Sequence, residues 1–137
     1  MSDLTLTAAK IAPVFPEKAQ IFDMLSNVAV TLGQAVHQAA TGVVAVSDAT
    51  TSGDTDLFDG LVVGVQGKGV SVLTEGHVFG FDVSAVAVGT ILYLSETAGA
   101  LADAAPAGTG TAIKVGKVVA LSDPTPTRVV YIRGFPV

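Results

Sequence analysis

The residue types in this chain that could do chemistry are few, and their spacing fits none of the common sites. Asp54, Asp56 and Asp59, with Asp48 nearby, form an acidic cluster of the kind that can bind calcium. A calcium loop of the EF-hand type takes oxygen ligands at its first, third and fifth positions and a bidentate glutamate at its twelfth. Counted from Asp54, the fifth position is Phe58 and the twelfth is Val65, so the pattern breaks and a polar, solvated loop is the better reading. The two histidines, His37 and His77, are far apart in a chain without cysteine, so a metal would need both plus carboxylates brought together in space. Each lies on a strand-like segment, where a structural role is the simpler reading. Gly67-Lys68-Gly69 could display a lysine as lipoyl-type carriers do, but the acidic or hydrophobic neighbours of such a lysine are absent, which leaves a plain hairpin turn. Gly108-Thr109-Gly110 lacks the following Lys-Ser/Thr of a phosphate loop and reads as a flexible loop. No Gly-x-Ser-x-Gly elbow occurs. No catalytic residue, cofactor or metal ligand is therefore expected, and the chain reads as a non-enzyme.

Composition narrows the class further. The 137 residues are 50% hydrophobic but only 14% charged and 6% aromatic, with 15 Gly, no Cys and no Trp. That length suits one domain with a real core, and the apolar content rules out a disordered chain. The absence of cysteine excludes a disulfide scaffold. With 7 basic against 12 acidic residues, the chain is not expected to bind nucleic acid, which needs clustered Lys and Arg. Polar or turn residues break every apolar run well short of the ~20 residues of a membrane span. Residues 1–10 lack the basic and apolar regions of a signal peptide, so cytoplasmic synthesis is expected.

The elements that must position these residues are read from periodicity. Residues 1–20 differ from the rest: Leu4, Leu6 and Ala8 alternate with threonines, and Pro13 and Pro16 flank Val14 and Phe15. Proline biases its neighbourhood toward extended backbone, so this segment reads as an extended N-terminal arm. Leu4, Leu6, Ile11, Val14 and Phe15 are too apolar for a solvated tail and are the expected docking contacts. Residues 21–40 are ambiguous between helix and strand: apolar residues fall at helical spacing, but β-branched Val28, Val30 and Thr31 and a central Gly33 argue against a helix. From Gly42 onward, short Val/Ile/Leu/Thr runs alternate with Gly, Pro, Asp and Ser clusters. Strands are expected at 43–47, 61–66, 70–74, 77–82, 90–95, 115–121 and 128–133, with a turn at Glu75-Gly76. This is the signature of an all-β sandwich or barrel without strand–helix alternation.

A weak internal repeat accompanies the strands. Residues 30–37 align with 86–93 at an offset of 56, residues 41–45 with 98–102 at 57, and 61–64 with 113–116 at 52. The counterpart of the ambiguous segment, 86–95, is strand-like, which favours strand for residues 28–38.

Three stretches then carry a family resemblance: Glu75-Gly76-His77-Val78-Phe79-Gly80-Phe81-Asp82; Gly89-Thr90-Ile91-Leu92-Tyr93-Leu94-Ser95 with Thr97-Ala98-Gly99-Ala100-Leu101; and Val115-Gly116-Lys117-Val118-Val119. Over residues 21–137 the chain resembles capsid decoration (cement) proteins of tailed bacteriophages and related virion structural proteins, in pattern and composition rather than by a diagnostic motif. The resemblance implies a small β-barrel or β-tulip-like domain on the outer capsid surface of the virion. It implies homotrimers that bind the major capsid protein and stabilise its lattice. The corresponding division is an arm at 1–20 and a decoration domain at 21–137. A tail or head-fibre base and a small ligand-binding β-domain are the alternatives.

Overall fold

The structure, a computed structural model, describes residues 3–26, 29–39, 41–47, 49, 58–105, 112–122 and 126–134. The acidic residues Asp48, Asp54 and Asp56 and the loop at Gly108-Thr109-Gly110 lie outside these. The described chain is almost entirely β. Its strands are β1 (Thr5–Leu6), β2 (Ala12–Pro13), β3 (Gln20–Ser26), β4 (Ala35–Gln38), β5 (Val43–Val46), β6 (Gly60–Gln66), β7 (Gly69–Phe79), β8 (Phe81–Asp82), β9 (Ile91–Leu94), β10 (Leu101–Ala102), β11 (Lys114–Ser122) and β12 (Pro126–Arg133). Two single-turn 3-10 helices, Ala8–Lys10 and Pro16–Lys18, bend the N-terminal segment.

The main sheet runs β10-β9-β11-β12-β7-β3-β5-β4-β6, and β6 returns to pair with β7. Strands β7, β3, β5, β4 and β6 thereby close into a barrel. A five-strand barrel has little interior volume, and compact β-branched side chains fill it: Val36, Val44, Val62, Val70 and Val72 pack with Val30, Met24, Leu32 and Val46. The larger residues form a second core. There Leu92, Leu94, Leu101, Val115, Val118, Val130 and Ile132 meet Ala35, Leu61 and Leu73 from the outside of the barrel. Strand β7 ties the two cores together. Its first half pairs with β3 and β6, and its second half pairs with β12 from Glu75 to Val78.

The internal repeat is present in the topology. Strands β5-β4-β6-β7 and β10-β9-β11-β12 are the same four-strand motif, one neighbour order built twice. Backbone hydrogen bonds recur at an offset of 56: Gly33 N–H to Val62 O and Gly89 N–H to Val118 O, then Val62 N–H to Gln34 O and Val118 N–H to Thr90 O. The pairs Ala35↔Leu61 and Val36↔Gly60 recur as Ile91↔Lys117 and Leu92↔Gly116. The equivalence of 61–64 with 113–116 is therefore corrected by four residues, because Val62 corresponds to Val118. Gly60 and Gly116 are equivalent for a steric reason: a methyl group at either would run into a backbone carbonyl, that of Leu73 or of Tyr131.

Three local expectations change. Glu75-Gly76 is not a turn; β7 runs through it unbroken, and the bare Gly76 admits Ala19, whose Cβ would lie 2.9 Å from a methyl placed there. Among the described residues of 21–40 there is neither a helix nor one long strand. They are shared between β3 and β4, with a turn at Leu32-Gly33 between them; pairing with β7 and β6 overrides the local helical spacing.

The third concerns the N-terminal segment, which is docked on its own domain. Asp3 bridges to Ala102, Leu4 N–H donates to Leu101 O, β1 pairs with β8, and β2 pairs with the end of β7. Leu4 and Ile11 are core residues, at 9% and 5% exposure, and Leu6 packs against the same core.

Candidate docking face

Alternation along β7, β11 and β12 decides what this molecule shows to its surroundings. Val78, Val118, Val130 and Ile132 point into the core, so their neighbours His77, Lys117, Tyr131 and Arg133 point outward. Register then places four of the outward residues in one row across four strands. Ile91 pairs with Lys117, Lys117 with Tyr131, and Tyr131 with His77. The N-terminal segment extends the row: Val14 N–H donates to His77 O at 2.8 Å, and the Phe15 ring meets His77 edge-on at 5.6 Å. Lys18 Nζ stands 5.4 Å from the centre of the Phe15 ring.

The row has a counterpart in the first copy of the motif. By the same pairings it is Ala35, Leu61, Leu73 and Ile21. There the first three are fully buried, in the core shared with the second copy. In the second copy the equivalent face is open, with Ile91 at 39% exposure.

Polar contacts on the open face are specific. The Tyr131 hydroxyl donates to Glu75 Oε2 at 2.8 Å, and this bond, with partial burial and the carboxylate charge, raises the phenol pKa above its ordinary value. His77 lies 4.9 Å from the Tyr131 ring centre, and burial lowers its pKa below the ordinary 6.5. Beside them is a depression of about 360 Å³ lined by Ile91, Lys114, Gly116, Lys117, Tyr131 and Arg133. The face thus sets aromatic rings, a carboxylate acceptor and cations side by side.

Of the five expected arm contacts, only Val14 and Phe15 reach this face, both half-buried. Leu4, Leu6 and Ile11 are turned into the protein. His37 is elsewhere, buried in β4, with Nδ1 sharing a 2.8 Å hydrogen bond with Ser47 Oγ. Asp59 accepts from Gln38 N–H. Among the described residues no group of three His, Asp or Glu could hold a metal, and no helix is long and apolar enough to cross a membrane. The residues of the row were visible in the sequence only as polar positions in alternating strands; nothing local joined residues 77, 91, 117 and 131.

Comparison with protein-family models, with curated proteins and with solved structures finds no match for this chain.

Proposed function

We propose that this chain is a structural protein that docks on a protein lattice, as a capsid decoration protein does on the head of a tailed bacteriophage. Its partners on this reading are the major capsid protein and further copies of itself, in a homotrimer, on the outer surface of the virion. The observation that carries the docking role is the open row of Phe15, His77, Tyr131, Lys117 and Ile91. Tyr and Phe are among the residue types enriched at protein interfaces, and rigid aromatic side chains lose little conformational entropy when covered. Repetition on a lattice multiplies weak single contacts into firm attachment. The capsid as the particular lattice rests on the sequence resemblance.

The test is sedimentation with shells assembled from the major capsid protein of the same genome, together with the mass of the free protein in solution. The wild-type chain is expected to pellet with shells and to run as a trimer, while Tyr131→Ala leaves a larger share in the supernatant. A monomer that ignores shells overturns the proposal.

A further inference from the structure

The open face carries a charge opposite to that of the molecule. The chain has 7 basic and 12 acidic residues and a net charge of −5. Yet Lys114, Lys117 and Arg133 all line one depression, around Ile91 and Tyr131. Lys114 and Lys117 make no ion pair or side-chain hydrogen bond among the described residues. Arg133 faces Glu75 across the strand pair, and the Glu75 carboxylate also accepts the Tyr131 hydroxyl, which leaves Lys114 and Lys117 as the cations without an acidic neighbour across the strand. Cations gathered on one face of an acidic protein attract anionic groups and repel other cations. The equivalent face of the first motif shows that this sheet surface can be a packing surface: Ala35, Leu61 and Leu73 are wholly covered there. In the second motif Lys117 stands where Leu61 does, so what covers it must bring negative charge as well as apolar surface.

We infer that the outer face of β9, β11 and β12 is the docking site for an acidic, extended segment of a partner protein, whose carboxylates meet Lys114, Lys117 and Arg133 while its apolar side chains cover Ile91 and Tyr131. Nucleic acid fits less well. A phosphate backbone presents continuous charge, whereas this face alternates cations with Ile91 and Tyr131 and has the Glu75 carboxylate at its rim. The inference rests on the reading that this face meets protein, but its test needs no shell.

The test is an NMR titration of the full chain with three probes: a peptide of alternating Glu and Val, its Lys-Val counterpart, and a single-stranded oligonucleotide of similar length. The acidic peptide is expected to shift the amide signals of Ile91, Lys117, Tyr131 and Arg133, and the basic peptide to shift none. The double change Lys117→Glu with Arg133→Glu should weaken acidic-peptide binding about tenfold or more. Should that variant fold poorly, Lys117→Gln and a rise from about 0.05 to about 0.5 M salt on the wild type give the same readout. No shift at this face, equal binding of the basic peptide, or tighter binding of the oligonucleotide overturns the inference. Shells that bind the chain while the peptide leaves this face untouched remove the inference alone; peptide binding here without shell binding removes the capsid reading alone.

Discussion

Glu75 sets the acid–base chemistry of Tyr131, and that can be measured. The carboxylate holds the phenolic proton and raises the pKa of Tyr131. Glu75→Gln should therefore lower it toward the ordinary value of about 10. A phenolate absorbance titration follows the change, with Tyr131→Phe assigning the step against Tyr93; an unchanged midpoint contradicts the bond. His77 acts in the opposite sense. Burial disfavours its imidazolium in the folded state, so its pKa lies below 6.5. A group depressed on folding binds protons more readily when unfolded. The contribution of His77 is thus fully present above its unfolded pKa and is lost as the pH falls through the folded value. Urea midpoints should decline on acidification from about pH 7.5 to about pH 5, and less steeply in His77→Gln. Away from the face, Ser47→Ala strands the Nδ1 of buried His37, with an expected loss of about 1–3 kcal/mol in denaturant unfolding.

Among the elements, the N-terminal segment departs most from its sequence reading. Its apolar residues do dock, as their types required, but Leu4 and Ile11 dock on their own core. Ile11→Ala should cost about 2–5 kcal/mol, as a buried aliphatic truncation does. Phe15→Ala, at a half-buried position, should cost far less stability while weakening docking. Equal thermal shifts in the two variants would argue against this division. Deleting residues 2–16 removes core as well as contacts, so the shortened chain is expected to lose stability and not merely docking. The paired glycines give a second test. Gly60→Ala and Gly116→Ala each drive a methyl into a facing carbonyl and should both fall at the severe end of single substitutions, about 3 kcal/mol. A mild effect at either would mean that the strands can separate freely there.

Across the whole molecule, two copies of one motif are joined by a shared strand and a shared core. Because β7 pairs in both halves and Leu61 and Leu73 of the barrel pack with Val118 and Ile132 of the second motif, neither half has a complete core alone. A single cooperative unfolding transition is expected in calorimetry; two separate peaks would show that the halves are independent. The duplication also sets the contrast between the two equivalent faces. In the first copy this sheet surface is covered from within the chain, and in the second copy it is open.

How much of this was legible beforehand follows from where each kind of information sits. Strand positions from residue 43 onward, the Gly67-Lys68 hairpin and the repeat between 30–37 and 86–93 were readable, because alternation and turn chemistry are local. The open row was not. Its members sit on strands whose pairing is set by contacts between residues such as His77 and Tyr131, distant in the chain, and no short window carries that register. The sequence by itself determined an all-β chain with two related halves, rich in small apolar residues and poor in charge. Only the tertiary structure decided that β7 would belong to both halves, that Leu4 and Ile11 would be used internally, and that Lys117 would lie open where its equivalent Leu61 is buried. A side chain's surroundings depend on which other elements close over it, and that closure is a property of the assembled core.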